Sequence, residues 1–174
     1  MPEVIVISAV VVCKLSRSFN LAEAAARIPG MVLDEALDAG VQKRTDPHCT
    51  VLAFPHGELL VSGPQLPHTL MDVGEATAFL ISDGTTVESS QIENVVCEAA
   101  VASTIDLPAA AESFGVGQPD LTHPEPRLEL HFEDVGAKAA IFASGRVVVT
   151  GANDEDAINK VLGHVLNTLE LELE

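Results

Sequence analysis

The sequence predicts an α+β fold made of two pseudo-symmetric repeats, residues 1–88 and 89–174, which together form one domain. The main observation is that the segment 50–63 returns as the segment 138–151 with its phenylalanine and glycines in register. This spacing is 88 positions, about half of the 174 residues and much longer than the periods of solenoid repeats, so it indicates duplication of a whole unit. The matched pairs are Phe54 with Phe142, Gly57 with Gly145 and Gly63 with Gly151.

Each half begins with a strand followed by a helix. The apolar run 4–13 is rich in β-branched residues and too short to span a membrane, so it predicts a strand. The run 92–101 aligns with it in the second half. The Ala-rich stretch 21–27 favours a helix with Asn20 as its N-cap, and Asp106 is the equivalent cap in the second half.

Each half ends with a hairpin and a longer helix. The segments 55–57 and 143–145 separate pairs of apolar runs, and the glycine in each supplies the positive φ that short turns need. Asn153 is expected to cap the last helix. The segments 82–90 and 115–119 are expected to be a linker and a loop. Apolar residues of the last helix recur at helical spacing and predict packing on the sheet: Ile158, Val161, Leu162, Val165 and Leu169.

The strands show almost no alternation of apolar and polar residues, so both faces of the sheet should be apolar. Strands joined by tight hairpins are antiparallel, and two helices per half cover only one face. An uncovered apolar face remains, and such a surface usually marks a binding site. A dimer that buries this face is the alternative.

The order of these motifs resembles the TATA-box-binding protein family, particularly its archaeal form. The shared pattern is a strand, a Leu-x-x-x-Ala helix, Asp46-Pro47, and an apolar-Phe-x-x-Gly hairpin that ends in Ser/Thr-Gly. The second copy, with AIFASGRVVVTGA at 140–152, matches more closely. The resemblance covers about residues 6–169. It implies a curved antiparallel sheet shaped like a saddle. In such a fold four helices lie on the convex face, and the DNA minor groove lies against the opposite face.

The resemblance also implies which residues contact DNA. TATA-binding proteins are the standard example of minor-groove binders that insert apolar side chains between base steps. Their groove floor suits A·T pairs, which lack the guanine amino group. The expected contacts are the wedges Phe54, Phe142 and Leu37, the groove-floor residues Leu60, Ser62, Val148 and Thr150, the central pair Asn94 and Ser8, and the phosphate contacts Lys43, Ser144 and Arg146.

Several positions depart from the family pattern. A second wedge phenylalanine is expected in each copy, and the aligned residues here are Leu37 and Glu125. Leu37 can still act as a wedge, whereas a carboxylate among base edges would lose its hydration and face phosphate repulsion. Glu58 stands at a basic position, and Lys138 stands where a small apolar contact is expected. These departures predict a divergent paralogue.

The composition favours two opposite conclusions. Twenty-six acidic and nine basic side chains give a formal charge of -17, which by itself argues against DNA binding, because neutralisation of phosphates drives affinity. An acid-rich surface is also typical of proteins adapted to high intracellular salt, where the Debye length falls to about 3 Å. We therefore hypothesise a haloarchaeal source, with an ordinary acidic protein as the alternative.

Other functional classes find little support in the sequence. Cys13, Cys49 and Cys97 lack metal-ligand spacing, so buried reduced thiols in a cytoplasmic protein are expected, and no cofactor is predicted. No catalytic constellation or phosphate-binding glycine loop is found, which argues against an enzyme. The absence of Trp and Tyr removes the usual platforms for single strands.

Two functions remain. The first is an archaeal general transcription factor that binds and bends the TATA element and recruits transcription factor B and, indirectly, RNA polymerase. The second is a protein of the same fold that has lost DNA wedging and acts as a regulator through protein contacts. Phe54, Phe142, Asn94, Thr150 and Arg146 favour the first, and Glu125, Glu58 and Lys138 favour the second.

Overall fold

The computed structural model describes residues 4–101, 103–122 and 124–171. Within these ranges it contains nine strands, all paired antiparallel where the register is defined, and four helices, which confirms the α+β class. The elements in chain order are β1 (Ile5–Leu15), α1 (Leu21–Arg27), β2 (Val32–Asp34), β3 (Ala39–Thr45), β4 (His48–Phe54), β5 (Glu58–Gly63), α2 (Pro67–Ile81), β6 (Val87–Ala100), α3 (Leu107–Phe114), β7 (Arg127–Phe132), β8 (Ala137–Phe142), β9 (Arg146–Ala152) and α4 (Glu155–Leu169).

The chain forms two compact units. The first unit is Ser8–Glu93, and the second contains the described residues from Asn94 onward together with residues 4–7. The division between the units falls inside β6, as does the predicted repeat boundary after residue 88, which stays a prediction. In the first unit the strand order is β2-β3-β4-β5-β1, and α2 packs on β5 while α1 contacts α2, β2 and β3.

In the second unit the strand order is β6-β9-β8-β7. Helix α4 packs on β8 and β9, and α3 contacts α4 and β7. None of the helices in the described ranges is long and apolar enough to cross a membrane.

Matching backbone hydrogen bonds support the duplication. The Leu15 N–H donates to the Gly57 carbonyl over 2.8 Å, and the Val101 N–H donates to the Gly145 carbonyl over 2.9 Å. Equivalent residues of β1 and β6 are thus 86 positions apart, not 88 as the alignment of 4–13 with 92–101 implies. The reason is that the second repeat has two more residues between the cap of its first helix and its hairpin glycine.

The predicted helix caps are confirmed at the short helices and corrected at the last one. The Asn20 side chain accepts from the Glu23 N–H, and the Asp106 side chain accepts from the Ala109 N–H. Helix α4 is capped by Asp154, whose Oδ1 accepts from the Ala157 N–H over 2.6 Å, and not by Asn153. Asp154 is one residue closer to the first turn, so its carboxylate reaches the free N–H groups there.

Two other segments differ from the sequence prediction. The short edge strand β2 follows α1 in a segment for which the sequence predicts no element. The expected linker at 82–90 is a linker only in its first part, because Val87–Ala100 forms one long strand. Its β-branched and apolar residues lie mainly in the second half of the strand, which explains why the polar first half resembles a linker in sequence.

The three cysteines are free and buried in the core, as the sequence predicts. Burial raises the pKa of each thiol, and for Cys97 the pKa rises to about 11 because desolvation, followed by the negative charge of Glu155, disfavours the thiolate. Protonated thiols of this kind are inert core residues.

Helix α2 approaches the sheet closely at Gly74, and this contact generates a stability prediction. A Cβ at Gly74 would lie 2.5 Å from the Cys13 Sγ, so Gly74→Ala should lower the free energy of unfolding by about 1–3 kcal/mol through overpacking. A Cβ at Gly163 in α4 would meet no neighbouring atom within 4 Å, so Gly163→Ala should raise stability by up to about 1 kcal/mol. Urea unfolding of both variants measures these changes. Equal changes in the free energy of unfolding for the two variants would contradict the close contact between Gly74 and Cys13.

Candidate nucleic-acid interface

The strands of each unit bury one face against their helices and leave the other face partly exposed. On β5, Leu59 and Val61 are fully buried, whereas Leu60 and Ser62 between them are half-buried. The helix-facing residues form the core of each unit. We call the side of the strands that faces away from the helices the open face of each unit. The uncovered apolar surface expected from the sequence is found there.

The open face of the first unit is mainly apolar. Cross-strand pairing aligns Val12, Leu60 and Leu52 in one row across β1, β5 and β4. The next row runs from Val10 through Ser62 and Thr50 to Lys43. The predicted residues Leu60, Ser62 and Lys43 therefore share this face, and Ser8, two residues before Val10 on β1, follows the same alternation.

The two predicted wedges of the first unit lie at different places. Phe54 ends β4 and is half-buried, with its ring centroid 5.8 Å from that of His56 in the hairpin turn. His56 Nε2 lies 3.9 Å from Glu58 Oε2. Leu37 lies in the turn before β3, where the residue is 51% exposed and its N–H donates to Asp34 Oδ1 over 3.0 Å.

The open face of the second unit carries more charge. Glu98, Val148 and Ala140 form one row across β6, β9 and β8. The next row pairs Thr150 with Lys138 and Lys138 with His131. On the edge strand β7, Arg127 and Glu129 form an ion pair of 2.9 Å. Predicted residues Val148 and Thr150 thus lie on this face among charged neighbours.

Phe142, the predicted wedge of the second unit, is covered. The residue is only 6% exposed, and the guanidinium carbon of Arg146 lies 4.3 Å from the ring centroid. Arg146 also forms ion pairs with Glu125 at 2.7 Å and Glu98 at 3.4 Å. Arg146 is therefore engaged by protein groups, and insertion of Phe142 between bases would require Arg146 to move.

The remaining predicted contacts lie at strand ends and turns. Asn94 on β6 is exposed, and its Oδ1 accepts from the Gly151 N–H over 3.1 Å. Ser144 is exposed in the hairpin turn before β9. Gly145 in the same turn has φ of 92°, and a Cβ there would lie 2.6 Å from the Ser103 carbonyl oxygen, so this turn requires glycine.

Sequence reasoning missed Glu98. Its carboxylate lies on the open face, in the row of Val148, and is partly buried. The available signal was a single carboxylate inside the apolar run 95–101, which is unusual for a strand with a buried side. The pairing with Arg146 could not be read from sequence because the two residues are 48 positions apart.

Charge is distributed unevenly between the two sides of the sheets. The four helices contain six acidic and only two basic residues. Five of the nine Lys and Arg residues lie on the open faces. These are Lys14, Lys43, Arg127, Lys138 and Arg146. The open faces thus combine apolar surface with most of the positive charge of a strongly acidic chain. Among the described residues no cluster of three or more potential metal ligands occurs.

Comparisons with known proteins agree with this architecture. The sequence profile of the family described as "Transcription factor TFIID (or TATA-binding protein, TBP)" matches residues 89–171. The solved structure of Methanococcus jannaschii TBP superposes with a TM-score of 0.76 at 21% sequence identity, and the match covers 97% of this chain and 99% of that one. The fold is therefore the TATA-binding-protein fold.

Sequence relatives extend the match beyond the second half. TATA-box-binding protein B of Halobacterium salinarum is 26% identical over 165 residues, which cover 89% of this chain and 87% of that protein. TATA-box-binding protein C of the same organism is 30% identical over 61% of this chain, and the alignment spans 62% of that relative. The family match over residues 89–171 and these relatives show that the chain is similar in sequence to TATA-box-binding proteins, most clearly in its second half.

The two faces of β5 allow a test of whether the open face is dispensable for folding. Leu59→Ala should lower the free energy of unfolding by about 2–5 kcal/mol, because Leu59 is fully buried under the helix side. Leu60→Ala, the same truncation one residue further on the open face, should cost about 1 kcal/mol or less. Denaturant unfolding measures both. A cost for Leu60→Ala equal to that of Leu59→Ala would mean that the open face belongs to the core.

Proposed function

We propose that the open faces bind double-stranded promoter DNA in the minor groove of a TATA element, and that the chain acts in transcription initiation. The observation that carries this proposal is the composition of the open faces. They combine uncovered apolar side chains with five of the nine basic residues of a chain whose formal charge is -17. Apolar surface suits the floor of an A·T minor groove, and flanking cations suit phosphates.

The first unit is the better equipped for wedging. Its open face presents half-buried Phe54 and exposed Leu37, and Lys43 lies in the row next to the apolar one. In the second unit Phe142 is covered and Arg146 is paired with Glu98 and Glu125. Val148 and Thr150 therefore make the main contacts there, and Arg146 contacts phosphate once those ion pairs open. The expected contacts of Asn94, Ser8, Leu60, Ser62 and Ser144 remain part of the proposal. The duplex is therefore gripped asymmetrically.

The proposed partners follow from the family. Relatives named TATA-box-binding proteins in Halobacterium salinarum support a place for this chain at archaeal promoters. We propose that it recruits archaeal transcription factor B and, through it, RNA polymerase. The acidic composition supports function at high intracellular salt, because screening removes most of the repulsion between the helix side and DNA.

A second candidate function is a regulator that works through protein contacts. The observation that favours it is the pair of carboxylates, Glu98 and Glu125, on and beside the open face of the second unit. Phosphates repel such groups, whereas a basic protein surface would pair with them.

DNA binding provides the first test of the proposed function. Fluorescent duplexes with a TATA element or a GC-scrambled control are titrated over a potassium chloride series that reaches molar concentrations. Wild-type protein should prefer the TATA duplex. Phe54→Ala should weaken TATA binding by about tenfold, which corresponds to about 1.4 kcal/mol. The control is Phe79→Ala, which truncates a 77% exposed phenylalanine on α2 and should leave binding unchanged.

Two outcomes would contradict the DNA-binding proposal. One is equal affinity for the TATA and scrambled duplexes at every salt concentration. The other is an equal loss for Phe54→Ala and Phe79→Ala, which would mean that the open face is not the contact surface. Selective capture of factor B without any DNA binding would favour the regulator.

DNA bending tests the asymmetry. At low salt we expect a kink at one end of the TATA element, because Phe54 is available and Phe142 is covered. Energy transfer between dyes that bracket each end of the element separately locates the kink. Phe54→Ala should reduce it. Kinks of equal size at both ends at low salt would contradict the expected asymmetry.

A further inference from the structure

The side chain of Arg146 is held at three points in the second unit. Its Nη2 lies 2.7 Å from Glu125 Oε2, its Nη1 lies 3.4 Å from Glu98 Oε2, and its guanidinium carbon lies 4.3 Å from the centre of the Phe142 ring. The planar guanidinium suits this arrangement, because its N–H groups reach carboxylates at the edges while its flat surface covers an aromatic ring.

The two carboxylates come from different elements on either side of Arg146. Glu98 lies on β6, which pairs with β9, and Glu125 lies two residues before the edge strand β7, on the other side of β9 in the strand order. With one carboxylate on each terminal nitrogen, the guanidinium is held over Phe142, and this residue is 6% exposed.

The first unit lacks this arrangement. The matching strand registers place Val12 where Glu98 lies and Glu58 where Arg146 lies. The turn before β3 has Leu37 at the position of Glu125. Phe54, the counterpart of Phe142, is accordingly half-buried and has only His56 as an aromatic neighbour among the described residues.

We propose that Glu98, Arg146 and Glu125 form a carboxylate clamp that closes Phe142 at low ionic strength and releases it at high ionic strength. The effect on DNA rests on the proposed function; the closure of the ring does not. The side chains of the clamp are 33–50% exposed, so salt screens their ion pairs. Release uncovers the second wedge and frees Arg146 for a phosphate oxygen, so the clamp makes wedging by the second unit dependent on salt.

Tryptophan fluorescence tests the closure without DNA. The chain has no Trp and no Tyr, so Phe142→Trp introduces a single reporter. Acrylamide, which is uncharged, should quench it weakly at low salt and about two- to fivefold more strongly in molar potassium chloride, as expected for the loss of partly exposed ion pairs. With Glu98→Gln and Glu125→Gln added, quenching should be strong at both salt concentrations.

Two controls separate the clamp from general effects of salt or charge. Phe54→Trp reports on the first unit, which lacks the clamp, and its quenching should not change with salt. Glu75→Gln with Glu112→Gln removes the same charge from helices α2 and α3 and should leave the Phe142→Trp signal unchanged. If Phe142→Trp unfolds the protein, fluorophenylalanine labelling of the wild-type chain, with Phe142→Leu to assign the resonance, gives the same information.

The proposal would be overturned if the Phe142→Trp reporter were quenched equally weakly with and without Glu98→Gln and Glu125→Gln. Packing alone would then cover the ring.

A DNA measurement extends the test. The Glu98→Gln and Glu125→Gln protein should bind the TATA duplex more tightly than wild type at low salt, and the difference should shrink at molar salt. If neither protein binds DNA, the proposed function fails while the quenching result still decides whether the clamp exists.

Discussion

The one-sided coverage of each sheet is the constraint on which the rest of this structure depends. Hairpin connections make the strands antiparallel, so successive side chains alternate between a helix-covered face and an open face. Two helices per unit suffice for one face, and Gly74 allows α2 to lie close to Cys13 on β1. Most core residues therefore come from the helix-covered side of the strands, and most apolar residues of the other side, with the exception of Phe142, remain partly exposed.

This division also explains how an acidic chain can present a surface suited to nucleic acid. The acidic residues of the helices lie on the helix-covered side of the strands and are exposed at the surface. The open faces hold most of the basic residues, so the local charge there differs from the formal charge of -17. Net charge describes solubility and long-range repulsion, whereas contact at a groove depends on the groups that face it.

The local features of the fold could be predicted from sequence. The covering of Phe142 on the open face of the second unit could not. Hairpins at Gly57 and Gly145 and caps at Asn20 and Asp106 depend on a few adjacent residues, so their chemistry is visible in the chain. The edge strand β2 has only three residues and is defined by its pairing with β3. The cover over Phe142 depends on groups from three separate elements, which no local pattern reveals.

Duplication explains why such a cover can arise in one unit only. Under the proposed function, two copies of one unit would provide two wedge positions, and a wedge in one unit would still anchor the duplex. Substitutions in the second copy are then tolerated if they leave the helix-facing core intact. Substitutions on the open face meet this condition. Glu98, Arg146 and Glu125 all lie on or beside that face, whereas their neighbours Cys97, Ala99 and Val147 remain buried. The alternation of the strands thus separates residues that must be kept for folding from residues that can change the open face of the second unit.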